Sequence, residues 1–170
     1  MEIIYDFARA YPAICLIAAF ILKDLYLLVF LIISDVLNGI FKYSIAKPLM
    51  GDKDYGILLG KGTRPKGASH CGIWKDPPGY KTKSYGMPSG HSQGATGFTT
   101  YLVLDNLSKG GSLSDISNVI LIAFGILVPY SRVVLNCHTI QQVIIGGILG
   151  IILGALAWNM KPSILSLINK

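Results

Sequence analysis

Two imidazoles and two guanidiniums stand in three short clusters of this chain. They are Gly60-Lys61-Gly62-Thr63-Arg64-Pro65, then Met87-Pro88-Ser89-Gly90-His91-Ser92, then Ser131-Arg132 followed after five residues by His138. Arginine meets phosphate with a planar fork and keeps its charge, so two of them suit a group whose equatorial oxygens gain charge during transfer. One histidine can attack phosphorus while the other protonates the leaving oxygen. Phosphoryl transfer is therefore the chemistry these residue types can perform together.

The clusters need elements to position them, and composition says what kind. Of 170 residues, 52% are hydrophobic and 14% charged, well below the roughly 25% charged of soluble domains. The expectation is an all-α, integral-membrane helical bundle formed by a single domain over residues 1–170. Five apolar segments are read, at about Asp6 to Leu22, Leu25 to Ala46, Gly90 to Leu104, Ile116 to Pro129 and His138 to Trp158. The third and fourth are short for a bilayer of about 30 Å and are expected to extend into flanking polar residues.

Between the second and third segments, Lys47 to Ser89 reads as a long loop over one membrane face, rich in Gly, Pro, Lys and Asp. The turn from Tyr130 to Cys137 falls on the same face. All three clusters then gather at one end of the bundle, open to water although their helices sit in lipid. The net charge of +6 also concentrates here, with Lys42, Lys53, Lys61, Arg64, Lys66, Lys75, Lys81 and Lys83. This implies an anionic partner, and between membrane spans that means lipid headgroups or phosphate esters rather than nucleic acid. The three cysteines, Cys15, Cys71 and Cys137, are too few for a disulfide framework and receive no redox role.

Local geometry refines the roles. Ser89 and Gly90 fall where the third segment begins, so free backbone N–H groups and a positive dipole end favour an anion there, and Gly90 lets phosphate approach the backbone. His138 opens the fifth segment, and Gln142 lies one turn on. The amide can hold one ring nitrogen while the other faces phosphorus.

At these residues the chain resembles the type-2 phosphatidic acid phosphatase superfamily, whose pattern is Lys-x6-Arg-Pro, Pro-Ser-Gly-His and Ser-Arg-x5-His. The second and third parts match residue for residue. The resemblance implies a lipid phosphatase in which His138 is the nucleophile and His91 the general acid. It also implies that Arg64, Arg132, Ser89 and a lysine bind phosphate, with no metal or other cofactor. Met87 to Gln93 and Cys137 to Val143 look like the dolichyl-diphosphatase branch, which has glutamine where other members have aspartate, so a polyprenyl diphosphate is the favoured substrate and phosphatidic acid the other. Relatives of that branch work on the non-cytosolic face of an endoplasmic-reticulum-like or plasma membrane.

The first part departs from the pattern, because Ile57 stands seven residues before Arg64. Two lysines compete for the vacant role. Lys42 follows Asn38 at the spacing of the family's helix before the loop, with an insertion separating it from Arg64; a cation inside an apolar helix is costly and faces a partner or a wet cavity. Lys61 is nearer in sequence but lies in a glycine turn, so Lys42 is favoured and Lys61 is the alternative.

Other functions fit less well. The run from Gly56 to Gly62 is one residue short of a P-loop and lacks Ser or Thr after its lysine. A silent membrane protein that binds anionic lipid through the basic loop needs cations but no second imidazole. A transport subunit would carry ionisable residues at mid-membrane. Gly146, Gly150 and Gly154 continue the row from His138 and Gln142 and predict close helix packing.

Overall fold

A computed structural model describes residues 2–74, 76, 77 and 79–168, with side chains described from 5 to 167. Lys75, one of the loop cations, lies outside the described residues. Five long helices form the bundle: α1 (Glu2–Ile21), α2 (Leu25–Ile40), α5 (Gly90–Ser108), α6 (Ile116–Val134) and α7 (Ile140–Ile168). A π-helical turn, Phe41–Ala46, continues α2 into the short α3 (Lys47–Met50), and α4 (Gly56–Leu59) is one turn within the loop. Among the described residues, three stretches are long and apolar enough to cross a membrane: Leu25–Met50, Ile116–Val134 and Ile140–Leu167. The all-α membrane fold read from composition is the fold the chain adopts.

Helix α5 lies in the middle and touches α1, α2, α6 and α7. Its buried face carries Ser92, Gln93, Thr99 and Tyr101 beside Ala95 and Phe98, so it is polar for a central helix. Lipid-facing apolar surface is left to its neighbours, where Phe20, Ile32, Ile126 and Ile148 are all exposed.

Backbone contact between α5 and α7 organises the bundle. A Cβ built on Gly146 would run into the Ser89 carbonyl, on Gly150 into that of Gln93, and on Gly154 into that of Gly97. Three successive turns of α7 thus lie directly on the backbone of α5, as the glycine row predicts. At the end far from the clusters, Asp24 caps α2 by accepting from the Leu27 N–H at 3.0 Å. It also accepts from the Tyr101 hydroxyl at 2.9 Å and from Lys161 Nζ at 2.7 Å. One carboxylate so joins the α1–α2 turn, α5 and α7.

Segment ends differ from the sequence reading in instructive ways. The fourth segment does not stop at Pro129, and the fifth runs beyond Trp158 through Pro162 to Ile168. A proline inside a helix removes one N–H and frees one carbonyl, which neighbouring groups can tolerate in a membrane bundle. Helix α6, with 19 residues, therefore reaches about 28 Å at 1.5 Å per residue. Helix α7 begins at Ile140 rather than His138, because Thr139 caps it: its hydroxyl accepts from the Gln142 N–H at 3.3 Å.

Gly154→Ala is expected to destabilise the protein by about 1–3 kcal/mol, since the new methyl meets α5 backbone that cannot rotate away. Gly94→Ala, where nothing lies within 4 Å, is expected to stabilise by about 0.5–1 kcal/mol. Thermal unfolding in one detergent compares them; equal shifts would show that α7 does not rest on α5 as described.

Candidate active site

The π turn is the first device that builds the site. Ser34, Asn38, Lys42 and Ala46 are all buried, although residues four apart drift about 40° round a regular helix. A wider turn over Phe41–Ala46 reverses that drift and returns Lys42 to the inner face. Sequence carries no signal for it. Lys42 is buried, whereas the Lys61 side chain is exposed.

His138 is held from both sides. Its Nδ1–H donates to Gln142 Oε1 at 2.9 Å, and the Gln142 Nε2 in turn donates to the carbonyls of Lys61 at 2.8 Å and Thr63 at 2.7 Å. Those two carbonyls settle which end of the amide faces the ring, and so which ring nitrogen carries the proton. Nε2 keeps its lone pair and accepts from Arg64 Nη1 at 2.9 Å. The backbone fixes the same residue, because the Arg132 carbonyl accepts from the N–H groups of Cys137 at 2.9 Å and His138 at 3.1 Å.

Arg64 is itself clamped. Nη1 also donates to the Cys137 carbonyl at 2.8 Å, Nε to the Ser84 carbonyl at 3.0 Å, and Nη2 to Ser84 Oγ at 2.9 Å. Ser84 stands between Lys83 and Tyr85 with no local pattern to mark it, and sequence reading passed over it. Burial lowers the Arg64 pKa to about 10, with Tyr43 and Asp76 opposing, so the guanidinium remains charged at neutral pH.

Arg132 is fully buried. Nη2 donates to the Cys71 carbonyl at 2.8 Å, while Nε and Nη1 find no partner among the described residues. Buried N–H donors of a cation are costly unless an anion meets them. Cys71 and Cys137 form a disulfide with Cα atoms 5.5 Å apart, correcting the expectation that the cysteines have no covalent part. They are 66 residues apart, and only the fold of the loop onto the α6–α7 turn brings them together. The bond therefore ties the loop to the residue preceding His138.

The second cluster faces this assembly across the α5–α7 contact. Ser89 is the N-cap of α5, donates its N–H to the Gln142 carbonyl at 3.1 Å, and accepts at Oγ from the Ser92 hydroxyl at 2.9 Å. A Cβ on Gly90 would approach Asn38 Oδ1 to 3.0 Å. Asn38 Nδ2 donates to Gln93 Oε1 at 2.9 Å, and Gln93 Nε2 to the Ser34 carbonyl at 2.8 Å, so the branch-like glutamine anchors α5 to α2 beside the site. His91 Nε2–H donates to the Arg9 carbonyl of α1 at 3.1 Å, which leaves Nδ1 as its other proton site.

The charges of Arg64, Lys42 and Arg132 all act on His138, and those of Arg132, Arg64 and Lys42 on His91. His70, by contrast, serves the loop: its Nδ1 accepts from the Asp76 N–H at 2.9 Å. Tyr85 is buried, its hydroxyl donating to the Gly51 carbonyl at 2.8 Å, while Trp74 is exposed. Among the described residues no three His, Cys, Asp or Glu side chains converge as metal ligands would.

A helical membrane bundle with these clusters at one end defines the class, and a family model agrees: the PAP2 superfamily matches residues 23–165, and the chain belongs to it. Among curated proteins it is similar to Dolichyldiphosphatase 1 of Dictyostelium discoideum, 39% identical over 87 residues. That match covers 48% of this chain and 37% of the relative, so the chain spans well under two thirds of that protein. No solved structure matches the chain.

Burial, reinforced by Arg64, holds the His138 pKa well below the ordinary 6.5, with Gln142 opposing. The neutral form should therefore persist as pH falls past 6.5. An unfolded chain takes up this proton near 6.5 and the folded chain only lower, so His138 contributes stability at neutral pH that is lost as pH falls below 6.5. A nitrogen NMR titration of labelled histidine in the intact protein is expected to show His138 uncharged at pH 6; half-protonation near 6.5 would contradict the enclosure described.

Proposed function

We propose that this protein is a membrane lipid phosphatase that works through a phosphohistidine at His138, with a polyprenyl diphosphate favoured over phosphatidic acid. One observation carries the reading: a neutral imidazole, its Nδ1 proton locked by Gln142, directs its Nε2 lone pair toward Arg64 while Arg132 keeps two buried N–H groups without a protein partner.

Arg64 Nη1 transfers its hydrogen bond from His138 Nε2 to a phosphate oxygen as substrate binds, exposing the lone pair. Nε2 attacks phosphorus and the bond from phosphorus to the leaving oxygen breaks. His91 acts as the imidazolium, taking up its second proton as the bound anion offsets the three cations; its Nε2–H stays on the Arg9 carbonyl and its Nδ1 gives the other proton to that oxygen. Water then loses a proton to His91 Nδ1 and attacks the phosphohistidine, the bond from Nε2 to phosphorus breaks, and inorganic phosphate leaves with the His91 imidazolium and the His138 imidazole restored. Arg64, Arg132, Lys42 and the α5 N-terminus at Ser89 and Gly90 meet the charge on the equatorial oxygens. The burial of Lys42 favours it over Lys61 for this role. These cations do the neutralising work for which other phosphatases use metal ions, and the proposed reaction is metal-independent.

The 39% identity to a protein named for dolichyl diphosphate supports the substrate preference. The disulfide supports a site on the non-cytosolic face, since such bonds persist in oxidising compartments. The Asn106-Leu107-Ser108 sequon at the other end is consistent with this orientation, its Asn106 amide being engaged with Asn118 at 2.9 Å.

With EDTA present, purified protein should release phosphate from a polyprenyl diphosphate faster than from phosphatidic acid. Arg132→Ala should slow turnover about 100-fold to 1000-fold. His138→Ala should form no phosphoenzyme in rapid quench, whereas His91→Ala should retain activity on an activated aryl phosphate. Label on the His138 variant, or activity that needs added magnesium, would reject the mechanism. In sealed vesicles, an impermeant maleimide should reach the reduced loop cysteines from the extracytosolic side; labelling only from the cytosolic side would reverse the orientation.

A further inference from the structure

Beside Arg64 lies a concavity of about 400 Å³ whose lining includes Arg64 but not His138. Its wall carries Lys47, Lys81 and Lys83 together with Arg64 and Thr82, and Asp52 is its one acid. None of the three lysines belongs to the clusters that match the superfamily pattern. Arg64 links His138 to this concavity: Nη1 is spent on His138 and the Cys137 carbonyl, while Nε and Nη2 rest on Ser84, which lines the concavity.

The lysine-bearing segment is pinned rather than loose. Thr82 donates its N–H to the Ala68 carbonyl at 2.9 Å and its hydroxyl to Asp76 at 3.2 Å. Further along, the N–H groups of Gly86 at 3.0 Å and Met87 at 2.9 Å both reach the Gly62 carbonyl. A Cβ on Gly62 would overlap the Tyr85 ring, so glycine there lets the two parts of the loop close. Lysines on an open surface are solvated and bind little. The side chains of Lys47, Lys81 and Lys83 are exposed, but all three line one concavity beside Arg64, where they focus potential and concentrate anions.

We propose that this hollow is a second phosphoryl subsite adjoining the reactive one across Arg64. This rests on the proposed phosphatase reaction and extends it. The same chemistry has two sources: the second phosphate of a lipid diphosphate, one bridging oxygen from the phosphorus under attack, or inorganic phosphate leaving after hydrolysis.

The test compares the intact protein with Lys47→Ala and with the double variant Lys81→Ala, Lys83→Ala; Lys109→Ala, on the opposite end and paired with Asp105, is the control. Steady-state rates are taken with a polyprenyl diphosphate and a polyprenyl monophosphate of equal chain length, and inhibition by inorganic phosphate is measured with each. If the subsite holds the second phosphate, the variants raise KM for the diphosphate about tenfold and leave the monophosphate unchanged. If it holds released phosphate, the inhibition constant for inorganic phosphate rises about tenfold with either substrate while KM stays put. If the variants alter neither constant, the subsite is overturned. Phosphorus NMR line broadening of inorganic phosphate, weakened by the same variants, tests binding without turnover. Should the wild type hydrolyse no lipid phosphate, the phosphatase reading fails, and the line broadening alone then decides the subsite.

Discussion

Everything at the candidate site depends on how closely α7 lies on α5. The His138–Gln142 unit and the Ser89–His91 turn belong to different helices, and they face each other because Gly146, Gly150 and Gly154 allow backbone to meet backbone over three turns. In lipid, where no hydrophobic force draws helices together, such close approach is what packing has to offer. The hydrogen bond from the Ser89 N–H to the Gln142 carbonyl forms where that contact reaches the membrane face.

The second governing feature is a gathering of like charge. Arg64, Arg132 and Lys42 all act on His138, and among the described residues the hydrogen-bond partners of Arg64 and Arg132 include no carboxylate. Such an arrangement is unfavourable in itself, and the protein holds it by covalent and backbone means: the disulfide, the Ser84 clamp on Arg64, and the Cys71 carbonyl on Arg132. Burial, reinforced by that field, keeps the His138 imidazole uncharged, as the proposed nucleophile must be, and the same charges suit the multiply charged anion proposed as substrate. Stability has been set against binding, as at many sites where buried charge awaits a ligand.

The loop is a structural partner of the helices rather than a cover laid over them. Carbonyls of Lys61 and Thr63 orient Gln142, which orients His138; Ser84 orients Arg64. Changes in the loop therefore act on His138 through one or two hydrogen bonds. Such coupling explains why so polar a stretch is held to so definite a shape.

Long apolar segments broken by short turns and one long polar loop, a glycine row, and three clusters of fixed spacing were enough to read an all-α membrane bundle and to name His91, His138, Arg64, Arg132 and Gln142 as candidates. Those features are local or periodic, and the chain states them within a few residues of one another. Other features were invisible because they join residues far apart: Cys71 to Cys137, Ser84 to Arg64, the Arg9 carbonyl to His91. Lys42 and Lys61 could not be separated by spacing either. A π turn rotates Lys42 inward while the glycine turn leaves the Lys61 side chain exposed, and the direction a side chain takes is set by the three-dimensional path of the backbone, which no count of intervening residues contains.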